Sequence, residues 1–341
     1  MQKDRDPSFD AFRGVAIIAV IALHVTYLGG YWNSPFRFYC QFYSQLFNFG
    51  VPAFLFISGY WISKKPIKSL EDYKTFLIKR FSRILVPYLF WSLVLIGYEV
   101  IKTHDVDVYG IIFKLILGRA SFHYFFIIMI AQLYIITPLL QYINRKPYGL
   151  MLVLILNIMT LLLRYLSRLH FNFWFPSISV FYSWVIFYEI GLLLGSGNRK
   201  IFVPENIRSF ILPAILASLL ISELEWIILL LKYDNLGFTT KYSSLLYSAS
   251  IIFGFIFLRE RFRHWPKFLV SIGNYSFGIY LIHVFIIGMV ANIFQKINII
   301  YSFQPLYQFI VASITISICF VLISITRKLL PKSFCRKVLG F

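Results

Sequence analysis

Asp10-Ala11-Phe12-Arg13-Gly14-Val15-Ala16-Ile17-Ile18-Ala19-Val20-Ile21-Ala22-Leu23-His24 is the stretch on which the reading of this chain turns. Nine apolar residues, Val15 to Leu23, run unbroken between an arginine and a histidine. Wound as an α-helix at about 100° per residue, the stretch brings Arg13 and His24 to within roughly 20° of one face, about 16 Å apart along the axis. Within a membrane such ionisable groups are expensive and face a polar interior or a pathway, which makes them functional candidates. For Arg13 a plainer account also exists: Asp10, three residues earlier, can pair with it at the helix end while its stem snorkels. His24 has no neighbouring acid. Asp6 followed by Pro7 reads as the start of the helix, with an aspartate able to cap and a proline where its missing N–H costs nothing.

The rest of the chain has the same apolar character. Its 341 residues are 59% hydrophobic and 14% charged, with a mean hydropathy of +0.74, which excludes an ordinary soluble domain and implies a polytopic membrane protein. The formal net charge of +19 would suit nucleic acid. Basic residues gathered in short loops between apolar spans are, however, what membrane insertion requires, and no nucleic-acid role is expected. Cys40, Cys319 and Cys335 are scattered, so neither a disulfide framework nor a metal site is expected. Lys3 and Arg5 before the first apolar run imitate a signal peptide. Arg13 interrupts that run and no small-residue cleavage pattern follows, so the first span is read as retained.

Apolar runs of about 17 to 25 residues mark membrane-crossing helices. Ten are predicted, at 9–29, 45–63, 84–101, 122–143, 148–163, 177–195, 209–231, 242–258, 268–290 and 306–326. The fold class is therefore all-α, a polytopic membrane helix bundle forming one transmembrane domain over residues 1–341. Lysines and arginines divide 23 against 9 between the two sets of connections, which predicts that both termini are cytoplasmic. No internal repeat is evident. The longest connection, Lys64 to Arg83, is basic and expected to be partly helical. On the outer side, connections 30–44 and 164–176 carry Tyr31, Trp32, Phe173 and Trp174, which an interfacial aromatic belt explains better than a stacked sugar.

In that orientation Arg13 lies near the cytoplasmic end of its span and His24 about two thirds of the way to the outer face. Arg80 and Arg83, at i and i+3, share one face at the depth of Arg13, and three guanidinium groups there suit phosphate. His283 falls at a depth similar to His24 and reads equally as part of a site or as a structural histidine. Glu189, Glu223 and Glu225 are candidates to neutralise an arginine or orient a histidine. Ser58, ahead of Gly59, reads first as small-residue helix packing and second as a nucleophile. His104, His170 and His264 lie in or beside loops and need no functional account.

These residues fall into an ordered series that resembles the membrane acyltransferase-3 family. Asp10-x-x-Arg13-Gly14 with His24 resembles its opening arginine and histidine signature, and Phe49 to Tyr60, with Ser58-Gly59, its second-span segment. Arg80-x-x-Arg83-Ile84-x-x-Pro87-Tyr88, His123-Tyr124-Phe125-Phe126 leading to Pro138, and Ser276-x-x-x-Tyr280-Leu281-x-His283 follow in order. Many relatives carry a further hydrolase-like domain, and this chain resembles the stand-alone type associated with surface polysaccharides. The resemblance implies an O-acyltransferase of the cell (plasma) membrane. Its donor would be acyl-CoA, acetyl-CoA foremost, with no permanently bound cofactor, and its acceptor a cell-envelope glycan or glycolipid, all within membrane lipid. Arg13 and His24 are then the catalytic pair, with Arg13, Arg80 and Arg83 holding the CoA phosphates. His24 is the general base, an imidazole titrating near neutrality. Asp10, Ser58, Tyr280, His283 and Glu189 are further candidates. The rival is a transporter or exporter of a lipid-linked glycan, against which the lack of paired repeats counts.

Overall fold

A computed structural model of the protein describes residues 6–28, 35–169, 181–197, 209–233, 241–262, 264–297 and 301–341. Tyr31, Trp32, His170, Phe173 and Trp174 lie outside the described residues. Among those described the chain is helical, without strands, and nine helical segments are long and apolar enough to cross a membrane.

Helix α1, Pro7–Leu28, is apolar all round and correspondingly buried on nearly every face. It begins as its sequence predicts, with Pro7 in the first turn and the Asp6 carboxylate accepting from the Ser8 N–H at 3.0 Å. The next span is two helices, α2 (Arg37–Leu46) and α3 (Gly50–Ser63), parted by a short turn. The connection predicted at 30–44 therefore contains most of a helix. Gln41, Ser44 and Gln45 are buried on α2, and this inward polar face hides the helix from a hydropathy reading.

Helix α4, Leu70–Thr103, starts at a capping box in which Ser69 and Asp72 each accept from the other's backbone. Its 34 residues span about 51 Å, against a hydrocarbon core of about 30 Å. The helical part of the basic connection is thus the charged beginning of α4, from Leu70 onward.

The short apolar helix α5 (Val108–Leu117) and a 3₁₀ turn (Phe122–Tyr124) lead into α6 (Phe125–Ile143), followed by α7 (Gly149–Leu169). The tenth predicted span, 177–195, is described only from residue 181. It appears there as a 3₁₀ turn and the eleven-residue helix α8 (Val185–Gly195), too short to count with the other nine. Helices α9 (Ile211–Tyr233) and α10 (Tyr242–Arg261) pair with each other. The span predicted at 268–290 breaks at Tyr275 into α11 (Lys267–Asn274) and α12 (Ser276–Phe294). Helix α13 (Gln304–Leu329) precedes Lys332–Phe334 and a single π turn, Cys335–Leu339.

Small residues set the two closest helix contacts. A Cβ on Gly59 of α3 would collide with the Tyr188 carbonyl of α8, and one on Gly191 with the Phe56 carbonyl. Likewise Gly14 of α1 lies against the Leu269 carbonyl of α11, and Gly273 of α11 against that of Asp10. Membrane helices gain packing by such close approach because lipid offers no hydrophobic drive to association. Helix α1 thus sits at the centre, in contact with α3, α11, α12 and α13, and its Asp10, Arg13 and His24 are held in fixed surroundings. Asp6 and the 332–337 segment border one basin, so both ends of the described chain lie at the same end of the bundle.

Candidate active site

At the end of the bundle away from that basin, α1, α12 and the turn before α6 bring three buried histidines together. Ring centroids are 5.0 Å apart for His24 and His283, 4.7 Å for His123 and His283, and 6.0 Å for His24 and His123. The hydrogen bonds fix a direction. His283 Nδ1 lies 2.7 Å from the Tyr280 carbonyl, which can only accept, so the neutral ring carries its proton there. His283 Nε2 must then accept, and its partner at 2.7 Å is Nδ1 of His24. His24 therefore donates from Nδ1 and keeps its lone pair on Nε2, which no described residue engages. At 8% exposure, His24 is buried. The same logic orients any imidazole base whose second nitrogen is held by a fixed acceptor.

Tyr280 supports the group from two sides, since its hydroxyl donates to the His123 carbonyl while its own carbonyl holds His283. The Tyr124 hydroxyl in turn donates to the Leu281 carbonyl at 2.9 Å. His123 is the member that sequence reasoning quoted without assigning it a role. It is 1% exposed, with Nδ1 2.8 Å from the Ser121 hydroxyl and Nε2 without a hydrogen-bond partner. Its position at the head of an apolar run, mirroring His24 near the end of one, was the available signal.

At the opposite end Arg13, Arg80 and Arg83 converge as expected. All three border a cavity of about 230 Å³ that also touches Ser58 and reaches Tyr280 beneath the histidines. The same arginines line a wide basin of about 2460 Å³, so the basin narrows into the cavity. Arg13 pairs with Asp10 at 2.9 Å, the helix-end pair anticipated from their spacing, and remains about one third exposed. The Arg80 guanidinium stacks over Phe76 and Tyr134, at 5.8 and 6.0 Å from the ring centroids. Ser58 Oγ lies 3.4 Å from the Tyr134 hydroxyl, and no histidine bonds it among the described residues.

The acids differ from expectation. Glu189 is fully buried on α8, and neither carboxylate oxygen has a hydrogen-bond partner. It neither neutralises an arginine nor orients a histidine among the described residues, because α3 is pressed onto α8 backbone to backbone. Glu225 instead accepts from Tyr165 and from the Ser243 N–H and hydroxyl. Nearby, Lys241 donates to Gln45 at 2.9 Å and to the Ser222 carbonyl at 2.7 Å. This polar junction joins α2, α9 and α10 and includes Glu225, whereas Glu223 Oε1 is buried without a hydrogen-bond partner among the described residues.

Residues 6–324 match the family model for the acyltransferase domain of the acyltransferase-3 type. The chain belongs to the acyltransferase-3 family. As a member, it is also similar to YfiQ of Bacillus subtilis (strain 168), whose name assigns it provisionally as a membrane-bound acyltransferase. The two are 26% identical over 273 residues, which is 73% of this chain and 71% of the relative. No solved structure matches it. This acyltransferase-3 protein is thus a membrane-bound transferase of acyl groups.

Proposed function

We propose that the protein O-acylates a cell-envelope glycan or glycolipid, with cytoplasmic acyl-CoA as donor and His24 as general base. The observation that carries this reading is the chain from the Tyr280 carbonyl through His283 to His24, which leaves the Nε2 lone pair of a buried imidazole free of any bond to a described residue. The arginine-bordered basin suits the CoA phosphates, and the narrower cavity suits the acyl-pantetheine arm. That arm has about 16 Å to cover between the levels of Arg13 and His24. The excess of basic residues at the basin end supports a cytoplasmic position for that end, with the plasma membrane as the proposed location.

In the reaction the acceptor hydroxyl gives its proton to His24 Nε2 as its oxygen forms a bond to the thioester carbonyl carbon. The tetrahedral intermediate collapses with cleavage of the C–S bond, and the imidazolium returns the proton to the departing CoA sulfur. His283 steadies the imidazolium because its Nε2 still accepts from His24 Nδ1.

Purified protein in lipid, given radiolabelled acetyl-CoA and an envelope-glycan extract, tests this reading. Wild type is expected to label the glycan, and folded His24→Ala and Arg13→Ala to lose that transfer. Vesicles that move a lipid-linked glycan in a His24-dependent way while transferring no label would replace the enzyme by the exporter.

A further inference from the structure

Resting on that donor reading, we propose that the segment Lys332–Leu339 forms a third source of cations for the basin and recognises the adenosine 3′,5′-bisphosphate end of CoA. Lys332, Arg336 and Lys337 line the same basin as Arg13, Arg80 and Arg83. Lys64, Lys65 and Lys79 complete its cations, nine in all against four acids. Three of those acids are already engaged: Asp6 by Arg259, Asp10 by Arg13, and Asp72 in the capping box of α4. Glu71 remains. By contrast, Lys332, Arg336 and Lys337 are exposed and form no ion pair among the described residues.

The segment is pinned in place. Trp91 donates from Nε1 to the Leu339 carbonyl at 3.0 Å, and Cys335 and Leu339 are buried. The Phe341 ring packs 5.9 Å from that of Trp91 and closes over Gly278. The π turn, a rare conformation that recurs at functional sites, thereby directs Arg336 and Lys337 away from the anchored face. Cations held this way lose little freedom on binding. Volume divides the ligand, since the basin is about ten times larger than the cavity and takes the bulky end while the cavity takes a thin one. A phosphate monoester, carrying about 1.5 to 2 negative charges, suits unpaired cations. The family match ends at residue 324, so it assigns nothing to this segment.

The same phosphate chemistry is offered by anionic lipid headgroups, and the experiment separates the two. Full-length protein in neutral phosphatidylcholine nanodiscs is titrated with radiolabelled adenosine 3′,5′-bisphosphate, and its kinetics are measured with acetyl-CoA and with acetyl-pantetheine. The triple variant K332Q/R336Q/K337Q is expected to bind the nucleotide at least about tenfold more weakly. Its KM should rise to match for acetyl-CoA but not for acetyl-pantetheine. K328Q, a nearby surface change outside the basin, should leave both unchanged. Equal nucleotide affinity in triple variant and wild type overturns the proposal. A loss confined to affinity for anionic phosphatidylglycerol nanodiscs also overturns it and assigns the segment to lipid. Nucleotide binding by wild type, weakened in the triple variant but without transfer from acetyl-CoA, would uphold the segment's role and remove the donor reading instead.

Discussion

His24 can serve as a base only while its lone pair stays on Nε2, and that depends on a backbone carbonyl one imidazole away. Replacing His283 by Gln keeps an acceptor near His24 but breaks the geometry. The expected outcome is a fall in kcat within the 10²- to 10⁴-fold range of general-base catalysis, at an unchanged KM for the donor and with a displaced pH–rate profile. Tyr280→Phe keeps the carbonyl that holds His283 and loses only the hydroxyl bond to the His123 backbone. Its kcat should therefore fall less than that of His283→Gln in the same assay. Ser58→Ala should transfer acyl groups nearly as well as wild type, because among the described residues no base bonds the hydroxyl; loss of activity with fold retained would make Ser58 a nucleophile. At this scale the sequence was partly readable. The Asp10–Arg13 pair follows from helical spacing, and His24 stood out as a polar group in an apolar run. The bond from His24 to His283 spans 259 positions, and no local periodicity carries such a relation.

Among the elements, α3 and α8 are the most tightly joined, and their contact leaves no room for a methyl group at Gly59 or Gly191. Gly59→Val is expected to lower thermal stability in detergent by several degrees or to prevent folding, read from a fluorescence melt. Gly97→Ala, on α4 with open space around its missing Cβ, should leave the melt unchanged or slightly raised. Long apolar runs announced most of the helices, including α1, α6 and α9, while α2 escaped notice because its polar residues face inward. Glu189 shows the opposite case: an acid in an apolar run advertises a partner, and among the described residues its carboxylate has none.

For the molecule as a whole, the asymmetry of charge is the feature a sequence displays most openly, and the meeting of Asp6 with the 332–337 segment at the basic basin agrees with it. All three cysteines are buried and free, which leaves a clean background for labelling. In intact cells a membrane-impermeant maleimide should modify Asp105→Cys, in the connection between α4 and α5, and should reach Ser333→Cys only after permeabilisation. The reverse pattern would invert the orientation. The basin itself was less legible, because its outer cations return from the far end of the chain and meet the arginines only through tertiary packing. Helix α8 has a further effect on how the protein lives in lipid. At about 16 Å it is far too short to match a hydrocarbon thickness of about 30 Å, yet nearly all of it is covered by protein. Thicker or thinner bilayers therefore strain the outer helices, which can tilt, while the middle of the bundle feels no hydrophobic mismatch of its own.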